Sequence, residues 1–324
     1  MTLRVGIIGT GVMGAEHVRI LREETAGAAV AAICDADPAR AQALAGGAAC
    51  FTDPLALIAD DRVQAVVIAS PDATHAGLSL ACIAAGKPVL CEKPLAATAD
   101  EARHVVEAEV AVGRRLVTTG YMRRFDPAYT AMKQALDAGN IGAAVILHNI
   151  HRNAAAPGWF TGAMAVTNSF VHEIDISRWL LGSEPVSATI HAAPGGDPLL
   201  ITMETDAGQI VVTEVFMNAR YGYHVHAQLV GRDGTVEMAP PTTTLTNQAL
   251  RHGHAWPENW VPRFRDAYRI QMNAWVRACT GGPPVGASAW DGYVATAIAE
   301  QVAAGLQAHG TARLSPAPRP DLYR

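Results

Sequence analysis

The feature that most limits what this chain can fold into is Gly9-Thr10-Gly11-Val12-Met13-Gly14, a glycine run at the end of the first apolar segment. Between a strand and a helix, each glycine has a task. Gly9 permits a tight turn, Gly11 lets a pyrophosphate approach the backbone, and Gly14 lets the helix pack closely. The helix start offers unpaired N–H groups and a positive dipole end to phosphates. Asp35 ends the next apolar run, about 21 residues after Gly14. A carboxylate there accepts from both adenosine ribose hydroxyls and repels a 2′-phosphate. The expected ligand is NAD rather than NADP, held by Gly9, Thr10, Gly11, Val12, Met13, Gly14 and Asp35.

The rest of the N-terminal third fits that motif. Apolar strand-like runs at 3–9, 28–35, 63–70, 88–92 and 115–120 alternate with helical stretches at 12–24, 74–86 and 98–112. That alternation predicts a doubly wound parallel sheet. From residue 121 the pattern changes. A helix at 127–138 leads to a strand at 143–151, and a helix at 168–181 precedes strands at 186–193, 199–206, 209–218, 224–230 and 235–238. Asp206-Ala207-Gly208 and Arg232-Asp233-Gly234 are turn signals for antiparallel hairpins. Helices at 263–279 and 287–309 follow. The predicted fold class is α/β. A Rossmann-type NAD-binding domain spans 1–120. An α/β domain with a largely antiparallel open sheet spans 121–324, its terminal helix free to return to the first domain.

Composition narrows the partners. Half of the 324 residues are apolar and 17% are charged, with a net charge of −5 and no basic run. Nucleic acid and anionic membrane surfaces are therefore not expected partners. No apolar run reaches the roughly 18–20 residues of a membrane span. Residues 1–4 lead straight into a strand, unlike a signal peptide. Cys34, Cys50, Cys82, Cys91 and Cys279 lack metal-type spacing and fit free thiols in a reducing cytoplasm. His224 with His226, and His252 with His254, share an i, i+2 spacing. Neither pair has a Cys or carboxylate at ligand spacing, so no metal is expected.

Two further segments carry chemistry. Glu92-Lys93-Pro94 follows a strand, which puts Lys93 at the carboxyl end of the sheet, where open α/β sheets bind ligands. A lysine there can donate to a hydroxyl and stabilise its developing oxyanion. The second is Asn168-Ser169-Phe170-Val171-His172-Glu173-Ile174-Asp175. Helical spacing puts Asn168 and His172 on one face, with Asp175 three residues further on. An imidazole is the natural acceptor of a hydroxyl proton near neutral pH. Taken singly, a surface lysine and a helix capped by Asn168 over a satisfied His172 explain the same residues.

Family resemblance adds to this reading. The chain resembles the glucose–fructose oxidoreductase, inositol dehydrogenase and rhizopine-catabolism oxidoreductase family in four places. They are the glycine motif, Ser70-Pro71-Asp72-Ala73-Thr74-His75, Gly86 to Pro94, and the helix from His172 to Leu181. Gly120 to Asp126, His151-Arg152-Asn153, Tyr221-Gly222-Tyr223 and the run from Trp260 to Tyr268 look most like its inositol dehydrogenase branch. The resemblance implies NAD-dependent oxidation of a cyclic polyol, myo-inositol first. It makes Lys93 the group that polarises the reacting hydroxyl, before a cis bond to Pro94, and His172 the general acid/base. Arg123, His151, Asn168, Asp175 and Tyr223 would contact the polyol or orient the groups that do. Ser70, Pro71 and His75 would line the nicotinamide side, with Glu92 and Lys93 beside the cofactor. The family usually has Asp where this chain has Asn168, and Asn cannot support a cation on His172 as a carboxylate would.

The resemblance also implies a homotetramer built through the open face of the second sheet, a face that the alternating Val211, Thr213 and Val215 fit. Still open at this stage are another inositol isomer, a pyranose sugar, an aminocyclitol intermediate, the direction of the reaction, and a sensor that binds NAD and sugar without turnover.

Overall fold

The computed structural model describes residues 2–158, 160, 162–240, 245–308 and 310–324. His309, the expected end of the last helix, lies outside the described residues. The chain groups into two compact units. The first comprises the residues up to Met122 with Tyr268–Ala297 and Ala317–Arg324, and the second comprises Arg123–Ala267 with Ile298–Pro316.

The first unit is built on β1 (Leu3–Ile8), β2 (Ala28–Cys34), β3 (Ala49–Phe51), β4 (Ala65–Ile68), β5 (Val89–Cys91) and β6 (Val117–Thr119). These strands are parallel, in the order β3-β2-β1-β4-β5-β6, and Ala287–Ser288 pairs antiparallel with β6. Val66, Val67, Ile68, Val89, Leu90 and Cys91 are all fully buried. Such unbroken apolar runs mark strands covered on both faces. Helices α1 (Val12–Glu23), α2 (Pro38–Leu44), α3 (Pro54–Ala59), α4 (His75–Ala84) and α5 (Ala99–Val112) link the strands. The sequence reading omits β3, α2 and α3. Both short helices nevertheless carry a start signal, an Asp cap followed by Pro: Asp37 accepts from the Ala39 amide and Asp53 from the Leu55 amide. Strand order reverses between β1 and β4, so a crevice opens at their carboxyl ends.

The second unit holds β7 (Ala144–Arg152), β8 (Pro185–Ala192), β9 (Leu199–Thr205), β10 (Ile210–Phe216), β11 (His224–Gly231) and β12 (Thr235–Glu237). Their order is β12-β11-β7-β10-β9-β8, with Thr311–Arg313 beyond β8. The β7–β10 pair is parallel, and the others are antiparallel. One face packs on the helix Val171–Leu181, where the Asn149 amide donates to the Ser177 hydroxyl at 3.2 Å.

The sheet corrects one expectation. Val211, Thr213 and Val215 are not the open face; all three are fully buried. Their neighbours point outward instead, with Ile210 of β10 41% exposed and Leu200 of β9 44% exposed. Alternation announces two faces but not which one a helix will cover. Among the described residues, no helix is long and apolar enough to cross a membrane.

Candidate active site

In the first unit, the predicted cofactor residues gather at the carboxyl ends of β1, β2, β4 and β5. A cavity of about 950 Å³ opens there, lined by Gly9, Thr10, Gly11, Asp35, Ser70 and Pro71 among others. The glycines differ in what requires them. Gly9 has φ +93°, and a Cβ on it would sit 2.4 Å from the Ala69 carbonyl oxygen. A Cβ on Gly14 would lie 1.9 Å from the Gly9 carbonyl oxygen. Around Gly11 a Cβ would meet no protein atom within 4 Å. Packing thus explains Gly9 and Gly14, whereas the protein's own atoms leave open space beside Gly11. The same residue is the N-cap of α1, with no side-chain cap and no acid in the first turn. The first N–H groups of the helix are therefore open to a pyrophosphate. Val12 and Met13 form that first turn, Val12 exposed and Met13 half-buried.

Asp35 is fixed by the same loop. Its Oδ2 accepts the Thr10 amide at 2.8 Å and the Thr10 hydroxyl at 2.5 Å, and its Oδ1 accepts the Asp37 amide at 3.0 Å. Burial opposes its charge, but these hydrogen bonds and the nearby Arg40 outweigh that and hold the carboxyl below its usual range. Arg40, five residues beyond, also lines the cavity.

Glu92-Lys93-Pro94 leaves β5 with a cis bond between Lys93 and Pro94. His75, expected to line the nicotinamide side, lies under this loop. Its Nδ1 is 2.7 Å from the Pro94 carbonyl oxygen and its Nε2 is 2.9 Å from that of Ser70. Two acceptors facing both ring nitrogens favour the imidazolium. Burial pulls the other way, yet the Cys91 thiol and the two carbonyls win and push His75 up to about 10. Glu92 is also buried, with Oε1 2.8 Å from Nε2 of His17 and Oε2 accepting the Lys93 amide at 3.3 Å. The sequence reading missed His17. Its signal is position, because it shares the buried stripe of α1 with Gly14, Val18 and Leu21.

In the second unit, His172 lies in the first turn of the helix Val171–Leu181, 8% exposed. The preceding residues, Ala165–Phe170, form a π-helical turn. Asn168, four residues before His172, sits in this wider turn and accepts from the Thr167 hydroxyl at 2.9 Å. π-turns inside helices recur at functional sites. His172 meets His151, whose ring centroid is 6.3 Å away, and His151 meets Tyr223 at 6.0 Å. Strand β7, the residue just before β11 and the helix thus bring three of the predicted residues together.

Two carboxylates of the same helix, Glu173 and Asp175, are held in buried ion pairs. Arg123 pairs with Glu173 through Nη1, and its Nη2 lies 3.3 Å from Nδ1 of His151. That same Nδ1 is 3.2 Å from Oε2 of Glu173. Burial would raise the Glu173 carboxyl, but Arg123 and His151 overcome it and hold it below its usual range. Burial pushes the Tyr223 phenol up to about 12 against the pull of Arg123. Asp175 is gripped by Arg124, Nε to Oδ2 at 3.0 Å and Nη2 to Oδ1 at 2.6 Å. Glu173 and Arg124 carry no role in the sequence reading, where each is simply a charge beside a better candidate. Of the histidine pairs, His224 hydrogen-bonds the Tyr221 hydroxyl at 2.6 Å and stacks on Trp256, and His252 meets Asn247 at 2.7 Å.

A strand–glycine–helix cradle, an acid just past the second strand and a histidine cluster over a second sheet fit a nicotinamide-dependent oxidoreductase of the Rossmann class. Residues 3–121 match the model of the "Oxidoreductase family, NAD-binding Rossmann fold", and residues 129–237 match that of the "GFO/IDH/MocA C-terminal domain". The chain is 51% identical to Inositol 2-dehydrogenase 1 of Saccharopolyspora erythraea, over 100% of this chain and 99% of that one. It is 39% identical to Inositol 2-dehydrogenase of Agrobacterium fabrum, over 100% of both. The crystal structure of myo-inositol dehydrogenase from Lactobacillus casei, in complex with NAD(H) and myo-inositol, superposes with a TM-score of 0.94 at 30% identity over 100% of both chains. This chain belongs to the GFO/IDH/MocA oxidoreductase family.

Proposed function

We propose that this chain oxidises myo-inositol to 2-keto-myo-inositol (scyllo-inosose) with NAD. The observation that carries the reading is 51% identity along its whole length to an inositol 2-dehydrogenase. NAD, when bound, supplies the hydride acceptor. Gly9 to Gly14 hold its pyrophosphate and Asp35 its ribose, with Ser70 and Pro71 along the cavity wall. His172 takes the hydroxyl proton as the carbinol C–H bond breaks and the C=O bond forms. Lys93 donates to the oxygen and stabilises its negative charge. His151, Tyr223 and Asn168 contact the ring hydroxyls. Arg123 and Asp175, held in buried ion pairs, take part in the same recognition by contact or by orienting those side chains. A polar, hydrogen-bonding cluster suits a polyol better than an apolar alcohol. The reading extends to a homo-oligomer, a tetramer, working in the cytoplasm.

The test is initial-rate NADH formation with a panel of inositol isomers and aldoses, with Lys93→Ala alongside. Turnover of myo-inositol that falls to a small residual rate in the variant is the expected result. Turnover of another sugar alone would move the substrate, and silence with every polyol in a protein that binds NAD would sink the proposed reaction.

A further inference from the structure

His17 is a buried titratable group that the proposed reaction does not use. It comes from α1, and its ring spends Nε2 on Glu92; Nδ1 has no hydrogen-bond partner among the described residues. Both side chains are almost fully covered, at 1% exposure for His17 and 7% for Glu92. Stability alone gives little reason to keep such a pair. A buried polar pair is often matched or bettered by apolar residues of the same volume.

The surroundings of Glu92 suggest what the contact does. Its second oxygen accepts the amide of Lys93, the next residue. On the β6 side, Gly120 makes room for it: a Cβ there would lie 2.9 Å from Glu92 Oε2 and 3.0 Å from Glu92 Cα. The ring of Tyr268 meets that of His17 edge-on at 6.1 Å and limits its tilt. Past Lys93, the Pro94 carbonyl is tied to His75 from α4. The backbone of Lys93 is therefore bracketed by two histidines from two helices, one acting on the residue before it and one on the residue after it.

We infer that His17 is a positioning residue for Lys93, acting through Glu92. It fixes the carboxylate that in turn fixes the Lys93 amide, so the ammonium leaves the loop in one direction. This rests on the reading of Lys93 as the oxyanion donor. A displacement of about 1 Å at such a group costs on the order of 100-fold in rate.

The experiment compares His17→Phe, which keeps the ring volume without the polar contact, with His17→Gln, whose amide N–H can still reach Glu92. Each is made in the wild type and in Lys93→Ala. In the wild-type background, His17→Phe should lower kcat with myo-inositol about 10- to 100-fold. NAD affinity, measured by direct titration, should stay within about threefold by the same argument, because the displaced group is the Lys93 side chain. His17→Gln should recover most of the rate. In the Lys93→Ala background, His17→Phe should cost nothing further, because residues acting in series are not additive. Undiminished kcat in His17→Phe, or an equal loss with and without Lys93, would overturn the inference. If Lys93→Ala itself keeps full turnover, the reading of Lys93 has failed instead, and the two failures are told apart. Should His17→Phe not fold, His17→Gln against His17→Asn carries the same comparison: Asn is too short to reach Glu92, and equal rates for the two would overturn the inference.

Discussion

A single oxygen of Asp35 takes both the amide and the hydroxyl of Thr10, at 2.8 and 2.5 Å. Asp35 is thus locked to the glycine loop, and the proposed ribose and phosphate contacts would act as a unit. Asp35→Ser should lower kcat/KM for NAD about 10- to 100-fold, the scale of a hydrogen bond to a charged group. It should raise relative use of NADP, since Arg40 on the same wall is then free to meet a 2′-phosphate. Steady-state kinetics with both cofactors read the ratio, and an unchanged ratio would remove Asp35 from cofactor choice.

Gly11 and Gly14 give opposite expectations under the same substitution. Gly11→Ala places its methyl in open space, so thermal stability should hold while KM for NAD rises. Gly14→Ala drives a methyl into the Gly9 carbonyl, so the fold itself should weaken, by about 1–3 kcal/mol as for other overpacked sites. Thermal melts and NAD titrations on both variants separate the effects. A Gly11→Ala protein with unaltered NAD binding would argue against a pyrophosphate at that turn.

Glu173 and Glu214 both pair with an arginine, but in different surroundings. Arg123 and Glu173 are sealed from water, whereas Arg152 and Glu214 are 26% and 30% exposed. Glu173→Ala strands a buried guanidinium and should cost about 3–5 kcal/mol. Glu214→Ala should cost no more than about 1 kcal/mol. The Glu173 carboxyl is held below its unfolded value, so its contribution is present above that value and is lost as pH falls. Urea titrations at neutral and acid pH test both points; equal losses for the two variants would be inconsistent with this account.

His75 has the opposite sign. Its folded pKa, about 10, lies above the unfolded imidazole value near 6.5. Its contribution is complete below about pH 6.5 and fades as pH rises toward 10. In that window one bound proton is worth up to about 1.4 kcal/mol per pH unit. Wild-type stability should therefore slope downward between pH 7 and 10 more steeply than that of His75→Gln. Parallel slopes would mean that His75 is neutral in the folded protein.

Local patterns carried much of this architecture. The glycine spacing, the apolar runs and the two Asp/Gly turns announce strands and hairpins, because each depends on residues close together in the chain. The parallel pairing of β7 with β10 does not, since it joins segments with two other strands between them. The glycine loop and Asp35 share one cavity wall because each sits at a strand end that the pattern marks. His17, Glu173 and Arg124 were not legible, because their meaning lies in partners 75, 50 and 51 residues away in sequence. The π-turn at Ala165–Phe170 escaped for a related reason. A spacing of four suits an α-helix, and no residue in that stretch signals the wider turn.

The first unit also has a consequence for how the protein is made. Thr119 donates to the Ser288 carbonyl at 3.1 Å, and the Glu109 carboxylate accepts the Tyr323 hydroxyl at 2.5 Å. Those partners emerge from the ribosome long after the glycine loop does. The nucleotide-binding half cannot finish its core until these later segments have been made, so Thr119 and Glu109 must wait for partners 169 and 214 residues further along the chain.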